Sequence, residues 1–200
     1  MVQGQETING TSPSAISTEM KMRMFLWTLT LSLACTCAPA QVFLTKDQAL
    51  RQYFREGAAI ERKVAYLTED QCREIRKRGK APFDSKMVTY YAGRIDSAIE
   101  GYAFLETQTI RTMPAVIMTV LRADGTIRGV ELLAFYEPED YLPSRRWLQQ
   151  FTGKSEYDDL LLKRGIAAIA GATLSAQVIA QSVRRTLAFY YTILDRNRTR

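Results

Sequence analysis

The chain has 200 residues, 46% hydrophobic and 24% charged, with a formal net charge of +6; this is ordinary globular composition. It holds no histidine and only three cysteines, which excludes a Ser-His-Asp triad, His acid–base catalysis, most zinc sites and a disulfide framework. No interleaving of basic and aromatic residues marks a nucleic-acid surface, so the surplus charge reads as solvated surface.

The N-terminus reads as a targeting segment. Lys21 and Arg23 precede the apolar run "MFLWTLTLSLACTCAPA", which ends in Ala38-Pro39-Ala40. A basic start, an apolar core and a small-x-small end are the parts of a secretory signal, here cleaved after Ala40. The run is short against the roughly 20 apolar residues of a membrane span; a retained anchor is the alternative. Neither Cys35 nor Cys37 has Leu three residues before it, which argues against a lipoprotein signal. The polar stretch before Lys21 has no role in a signal, so translation is expected to start at Met20, Met22 or Met24. These readings place the protein in the periplasm or on the outer face of the cytoplasmic membrane, where a modestly basic surface suits anionic lipid.

Three segments follow: residues 1–40 as extension and signal, 41–85 as a helical N-terminal part, and 86–200 as an α+β domain. In "TKDQALRQYFREG" (45–57), Thr45 and Gln48 form a capping-box pattern, apolar residues share one helical face and Gly57 is the expected stop. Residues 58–67 have strand character. "TEDQCREIRKRG" (68–79) repeats the helix grammar, with Thr68 and Gln71 as the box, Gly79 as the expected C-terminal cap and Cys72 as a packing residue. From about 86 to 136 the period is two and Val, Ile, Thr, Tyr and Phe are abundant. Asp124-Gly125 between two such runs signals a hairpin. Next comes a helix with Pro143 in its first turn and Trp147, Leu148 and Phe151 on its buried face, ended by Gly153. The last helix carries Leu174, Val178, Val183, Leu187, Tyr190, Tyr191 and Leu194 on one broad apolar face. One domain results, an antiparallel sheet flanked by helices.

Chemistry concentrates in "AGATLS" (170–175). A short buried segment there gives way to a helix N-terminus, where unpaired N–H groups and the helix dipole favour an anion. Gly171 permits a sharp turn, Ala172 keeps the approach uncrowded, and Thr173 and Ser175 supply hydroxyls. Alone the pattern is common, serving packing and capping in many proteins. No catalytic residue and no metal ligand is expected. The carboxylates Glu139, Asp140, Asp158 and Asp159 read as solvated surface rather than a hydrolytic site.

The stretch resembles the flavin-attachment motif of the FMN-binding domain family. This family includes the periplasmic flavin subunits of the sodium-pumping NADH:quinone oxidoreductase and of the Rnf complex. "WLQQFTGKS" (147–155) is similar to a segment upstream of the attachment threonine, and Glu137-Pro138 stands where the family often has a Glu-Thr-Pro-Gly-Leu-Gly loop. The similarity covers roughly residues 86–194. It implies electron transfer by FMN esterified through its phosphate to Thr173, with Gly171, Ala172, Leu174, Ser175, Glu137, Pro138 and Trp147 around it. It also implies a flavin transferase for maturation and membrane redox partners. Tyr136 and Tyr141 are further aromatic candidates, with core packing as their ordinary role. The family pattern has Ser or Thr where Ala170 stands and favours Asp where Ala167 stands. The alternative is therefore an exported binding or assembly module of the same fold, holding FMN non-covalently or not at all.

Overall fold

The computed structural model describes Met1 and residues 41–195. The signal, the alternative start sites and Cys35 and Cys37 lie outside the described residues. In chain order the elements are β1 (Gln41–Val42), α1 (Lys46–Tyr53), β2 (Ala59–Tyr66), α2 (Glu69–Gly79), β3 (Met87–Ile95), β4 (Ala98–Thr109), β5 (Pro114–Arg122), β6 (Ile127–Phe135), α3 (Arg145–Leu148) and α4 (Thr173–Phe189). A 3-10 turn, Glu139–Tyr141, follows the sheet, another, Gln149–Phe151, extends α3, and a π-turn, Tyr190–Leu194, extends α4.

The strands form one six-stranded sheet in the order β1-β6-β5-β4-β3-β2, with every neighbouring pair antiparallel. The α+β class read from the sequence is the observed one. Period-two alternation sorts the sheet's side chains onto two buried faces. Phe104, Ile117, Leu121 and Leu132 join the core built with α2 and α4. Their neighbours Ala103, Met118, Val120 and Leu133 join a smaller core under α1. A sheet covered on both sides needs apolar residues at successive positions, which explains the near-continuous run in β5. β2 ends the sheet, with Glu61, Arg62 and Lys63 exposed.

Both capping boxes form: the Thr45 and Thr68 hydroxyls accept from the Gln48 and Gln71 amides, and each glutamine accepts the cap N–H in return. The helix ends differ from expectation. α1 stops at Tyr53 rather than Gly57, because Phe54 turns to extended backbone and lays its ring where a side chain on Gly93 would stand. Gly57 instead turns the chain into β2 at φ +84°. Gly79 is the last helical residue of α2, and Lys80 takes the left-handed cap at φ 45°. The glycine serves close approach: a Cβ there would lie 3.2 Å from the Arg184 carbonyl oxygen of α4. Arg184 fastens the same junction by donating to the carbonyls of Gly79, Lys80 and Leu160.

Asp124-Gly125 makes the expected β5–β6 hairpin, with Gly125 at φ +85° and the Asp124 carboxylate accepting from the Thr126 N–H and hydroxyl. Pro143 lies just outside α3, whose cap is the Ser144 hydroxyl accepting from the Trp147 N–H. Trp147, Leu148 and Phe151 are buried as expected, as is Cys72. The buried face of the last helix and its extension keeps Val183, Leu187, Tyr190 and Tyr191 as expected, with Val178 and Leu194 half-buried. Ala176, Ile179, Ala180, Val183 and Leu187 are sealed in the core, whereas Leu174 is 49% exposed.

Candidate functional site

The candidate site is the turn that starts α4. Gly171 adopts φ +80°, a conformation glycine reaches without strain. A Cβ built there meets nothing within 4 Å, so backbone geometry rather than crowding favours glycine. Ala172 then occupies the cap position at φ −117°, ψ 34° and provides no side-chain cap. The other three helices are capped by Thr45, Thr68 and Ser144. α1 and α2 also carry acids in their first turns (Asp47, and Glu69 with Asp70), and α4 carries none. The 17-residue α4 therefore leaves the positive end of its dipole uncompensated by its own side chains. First-turn N–H groups in that setting favour a negatively charged ligand.

Thr173 is the first residue of α4 and is exposed. Its hydroxyl donates 3.2 Å to the Ile169 carbonyl, which ties the side chain to the turn and leaves the oxygen's lone pairs available. Leu174 beside it offers exposed apolar surface, while Ser175 is 2% exposed and belongs to the buried side of the helix. The turn thus presents Gly171, Thr173 and Leu174 outward and Ala172 and Ser175 inward.

The segment leading into the turn is held from α3. The Trp147 indole N–H donates 2.7 Å to the Ala167 carbonyl, and the Ala167 N–H donates 2.8 Å to the Gln150 side-chain carbonyl. Gln150 in turn donates to the Trp147 carbonyl. Both main-chain groups of Ala167 are thereby fixed by two side chains three residues apart, the spacing that shares a helical face. Phe151 packs edge-on against the indole, ring centroids 5.4 Å apart. Trp147 therefore acts by positioning the strap before Thr173. Gln150 was not among the sequence candidates; its i, i+3 relation to Trp147 was the available signal.

Glu137 supports a different loop. Its carboxylate accepts the N–H groups of Arg111, Thr112 and Met113 at 2.9, 2.7 and 2.8 Å, closing the β4–β5 connection. Burial pushes this carboxyl up, but the three main-chain donors and the Arg111 charge outweigh it and hold it below the ordinary carboxylate value. Pro138 is exposed and opens the 3-10 turn that carries Tyr141. The Arg111 guanidinium lies 4.4 Å from the centre of the Tyr141 ring.

No protein-family model matches the chain. One component of the Na(+)-translocating ferredoxin:NAD(+) oxidoreductase complex of Acetobacterium woodii is 25% identical over 122 residues, 52% of this chain and 56% of that protein. The family resemblance is borne out. The chain spans little more than half the length of this curated relative. Among solved structures, NqrC of Shewanella oneidensis is similar at 13% identity, with a TM-score of 0.49, covering 71% of this chain and 85% of that one. Among the described residues, no helix is long and apolar enough to cross a membrane.

Proposed function

We propose that this chain is an exported FMN-carrying subunit that passes electrons within a membrane-associated redox complex, with the flavin phosphate joined to Thr173. One observation carries the reading: an exposed threonine hydroxyl stands at the start of a long helix that has neither a side-chain cap nor an acidic first turn. The residues present fit a phosphate. Amides and the helix dipole would screen its charge, and the open space at Gly171 admits it. Thr173 would supply the ester oxygen. Leu174 would offer the ring apolar contact, while Trp147 and Gln150 hold the strap; Glu137 closes the β4–β5 connection and Pro138 opens the turn after the sheet. Ala172 and Ser175 would keep the helix start compact. When bound, FMN supplies the redox chemistry, and the protein sets its position and potential. No group need act as acid, base or nucleophile toward an organic substrate. A flavin transferase would make the ester, and membrane redox proteins would exchange the electrons.

The test is intact-mass measurement of protein produced with an exported flavin transferase. An added FMN phosphoester mass that survives denaturation, and is absent from Thr173→Ala, is expected. Unmodified wild-type protein under those conditions overturns covalent attachment.

Ala167 and Ala170 favour a second reading, in which the same turn holds FMN without an ester. Both residues are exposed, at positions where the family pattern has Asp and Ser or Thr. Saturable quenching of flavin fluorescence by unmodified protein would support this reading, and no quenching would leave a binding module without flavin.

A further inference from the structure

A cavity of about 740 Å³ lies beyond the C-terminal end of α4, bounded by β2, β3 and β4, the β5–β6 hairpin and the π-turn Tyr190–Leu194. Its volume falls within the range of small-molecule sites. On the sheet, Lys63 pairs in register with Tyr90, and Arg94 lies four residues along β3 on the same face. All three line the cavity. Lys63 is exposed, and Tyr90 and Arg94 are half-buried, so each can be reached from solvent.

Two of these groups have donors to spare. Arg94 donates to the Ser97 carbonyl at 3.2 Å and, among the described residues, meets no carboxylate within 4 Å. The Tyr90 ring is held by Phe104 and Phe189, with centroids 5.7 and 5.9 Å away, but its hydroxyl makes no hydrogen bond among the described residues. The unpartnered hydroxyls sealed from water are those of Thr119, Thr186 and Thr192; that of Tyr90 is not one of them and stays accessible. Tyr102 pairs with Ala92, midway between the two donors. With Ile99, Ile193 and Leu194 it adds half-buried apolar surface to the cavity. The charges divide by position. Glu61, two residues before Lys63 on β2, pairs with it, and Lys63 and then Arg94 hold its carboxyl below the ordinary value. One positive charge is therefore in excess on the strands. Asp124 and Asp195 line the cavity from the hairpin and the end of the π-turn, where both act on Tyr190 and Tyr191.

We propose that this cavity is a second ligand site, for an aromatic monocarboxylate with a hydroxyl or carbonyl oxygen at its far end. The carboxylate meets Arg94, the rings lie along Tyr102, and the far oxygen accepts from the Tyr90 hydroxyl. Tyr90 and Arg94 stand about 13 Å apart along the strand, at roughly 3.3 Å per residue, a span that two fused rings with a polar group at each end can bridge. The surplus positive charge on the strands admits one negative group, and Asp124 and Asp195 oppose a second. The cavity is at the opposite end of α4 from Thr173 and does not depend on flavin there.

The test is a fluorescence titration with 6-hydroxy-2-naphthoate on the whole purified chain at neutral pH, in wild-type, Arg94→Gln and Tyr90→Phe forms. 2-Naphthol, without the carboxylate, and naphthalene-2,6-dicarboxylate, with a second one, are the comparison probes. Saturable binding of the hydroxynaphthoate to wild type is expected, with both comparison probes weaker. Arg94→Gln is expected to weaken it roughly tenfold or more, the worth of a charge-assisted hydrogen bond, and to leave naphthol unchanged. Tyr90→Phe keeps the ring and removes the hydroxyl, so affinity is expected to fall roughly three- to tenfold. Melting midpoints of both variants are expected to match wild type, because neither lost group holds a carboxylate or a hydroxyl partner in the fold. No saturable binding to wild type, equal affinity in either variant, or binding of naphthol or the dicarboxylate as tight as that of the hydroxynaphthoate overturns the proposal.

Discussion

The two ends of the last helix place a glycine in nearly the same backbone conformation for opposite purposes. Gly171, at φ +80°, stands before α4 with open space around it. Gly125, at φ +85°, lies under the other end, where a Cβ would crowd the Tyr190 ring and come 2.8 Å from the Tyr191 hydroxyl. Around Gly125 the rings interlock: Tyr102 meets Tyr190, and Tyr190 meets Tyr191 with centroids 5.0 Å apart. The Tyr190 hydroxyl donates 2.6 Å to the Ala123 carbonyl. One end spends its glycine on packing. The other leaves room, and an uncapped helix start with room in front of it is a feature that packing alone does not require.

The comparison can be broken first by removing protons. Burial, followed by Asp195 for Tyr190 and Glu156 for Tyr191, raises both phenols to about 12. A folded value above the unfolded one, about 10, means stability that is complete below pH 10 and is lost as pH rises toward 12. Stability measured by urea unfolding is expected to fall across that window, and Tyr190→Phe is expected to shrink the fall. A flat profile would mean that the packed end does not hold its phenols neutral.

Substituting the two glycines sharpens the contrast. Gly125→Ala combines an unfavourable φ with overpacking and is expected to cost about 3 kcal/mol. Gly171→Ala meets only the backbone penalty, about 1 kcal/mol. Equal losses in urea midpoints would erase the difference between the two ends. The smallest effect is a gain. Leu174→Glu, in the exposed first turn of α4, supplies an acid at the positive end, worth about 0.3–1 kcal/mol. The same carboxylate would occupy the proposed phosphate position, so flavin loading is expected to drop while the melting temperature rises. A variant that is more stable and equally loaded would separate the helix start from phosphate binding.

Local rules were legible in the sequence where one residue decides the geometry. Thr45 with Gln48, Thr68 with Gln71 and Asp124 with Gly125 each act through neighbours within three positions, so pattern was enough. The meander followed from its period of two. What was not legible depended on tertiary partners. Gly57 looked like a helix stop, but Phe54 left the helix earlier to cover Gly93. Gly79 looked like a left-handed cap, but its value is the missing side chain against α4, and Lys80 bears the positive φ instead. Leu174 matched the apolar stripe that Val183 and Leu187 bury, but the buried part starts at Ala176 and Ile179 and leaves Leu174 49% exposed. At the candidate site, "AGATLS" marked the turn. The i, i+3 pairing of Trp147 with Gln150 was readable, but their hold on Ala167, about twenty residues further on, depends on tertiary packing.

β2 closes one side of the sheet with Glu61, Arg62 and Lys63 turned to water. A second copy adding its own strand there would have to strip solvent from that charged row. Such a margin guards against stacking into fibres at high local concentration, and it leaves the polypeptide free to meet other molecules through surfaces elsewhere.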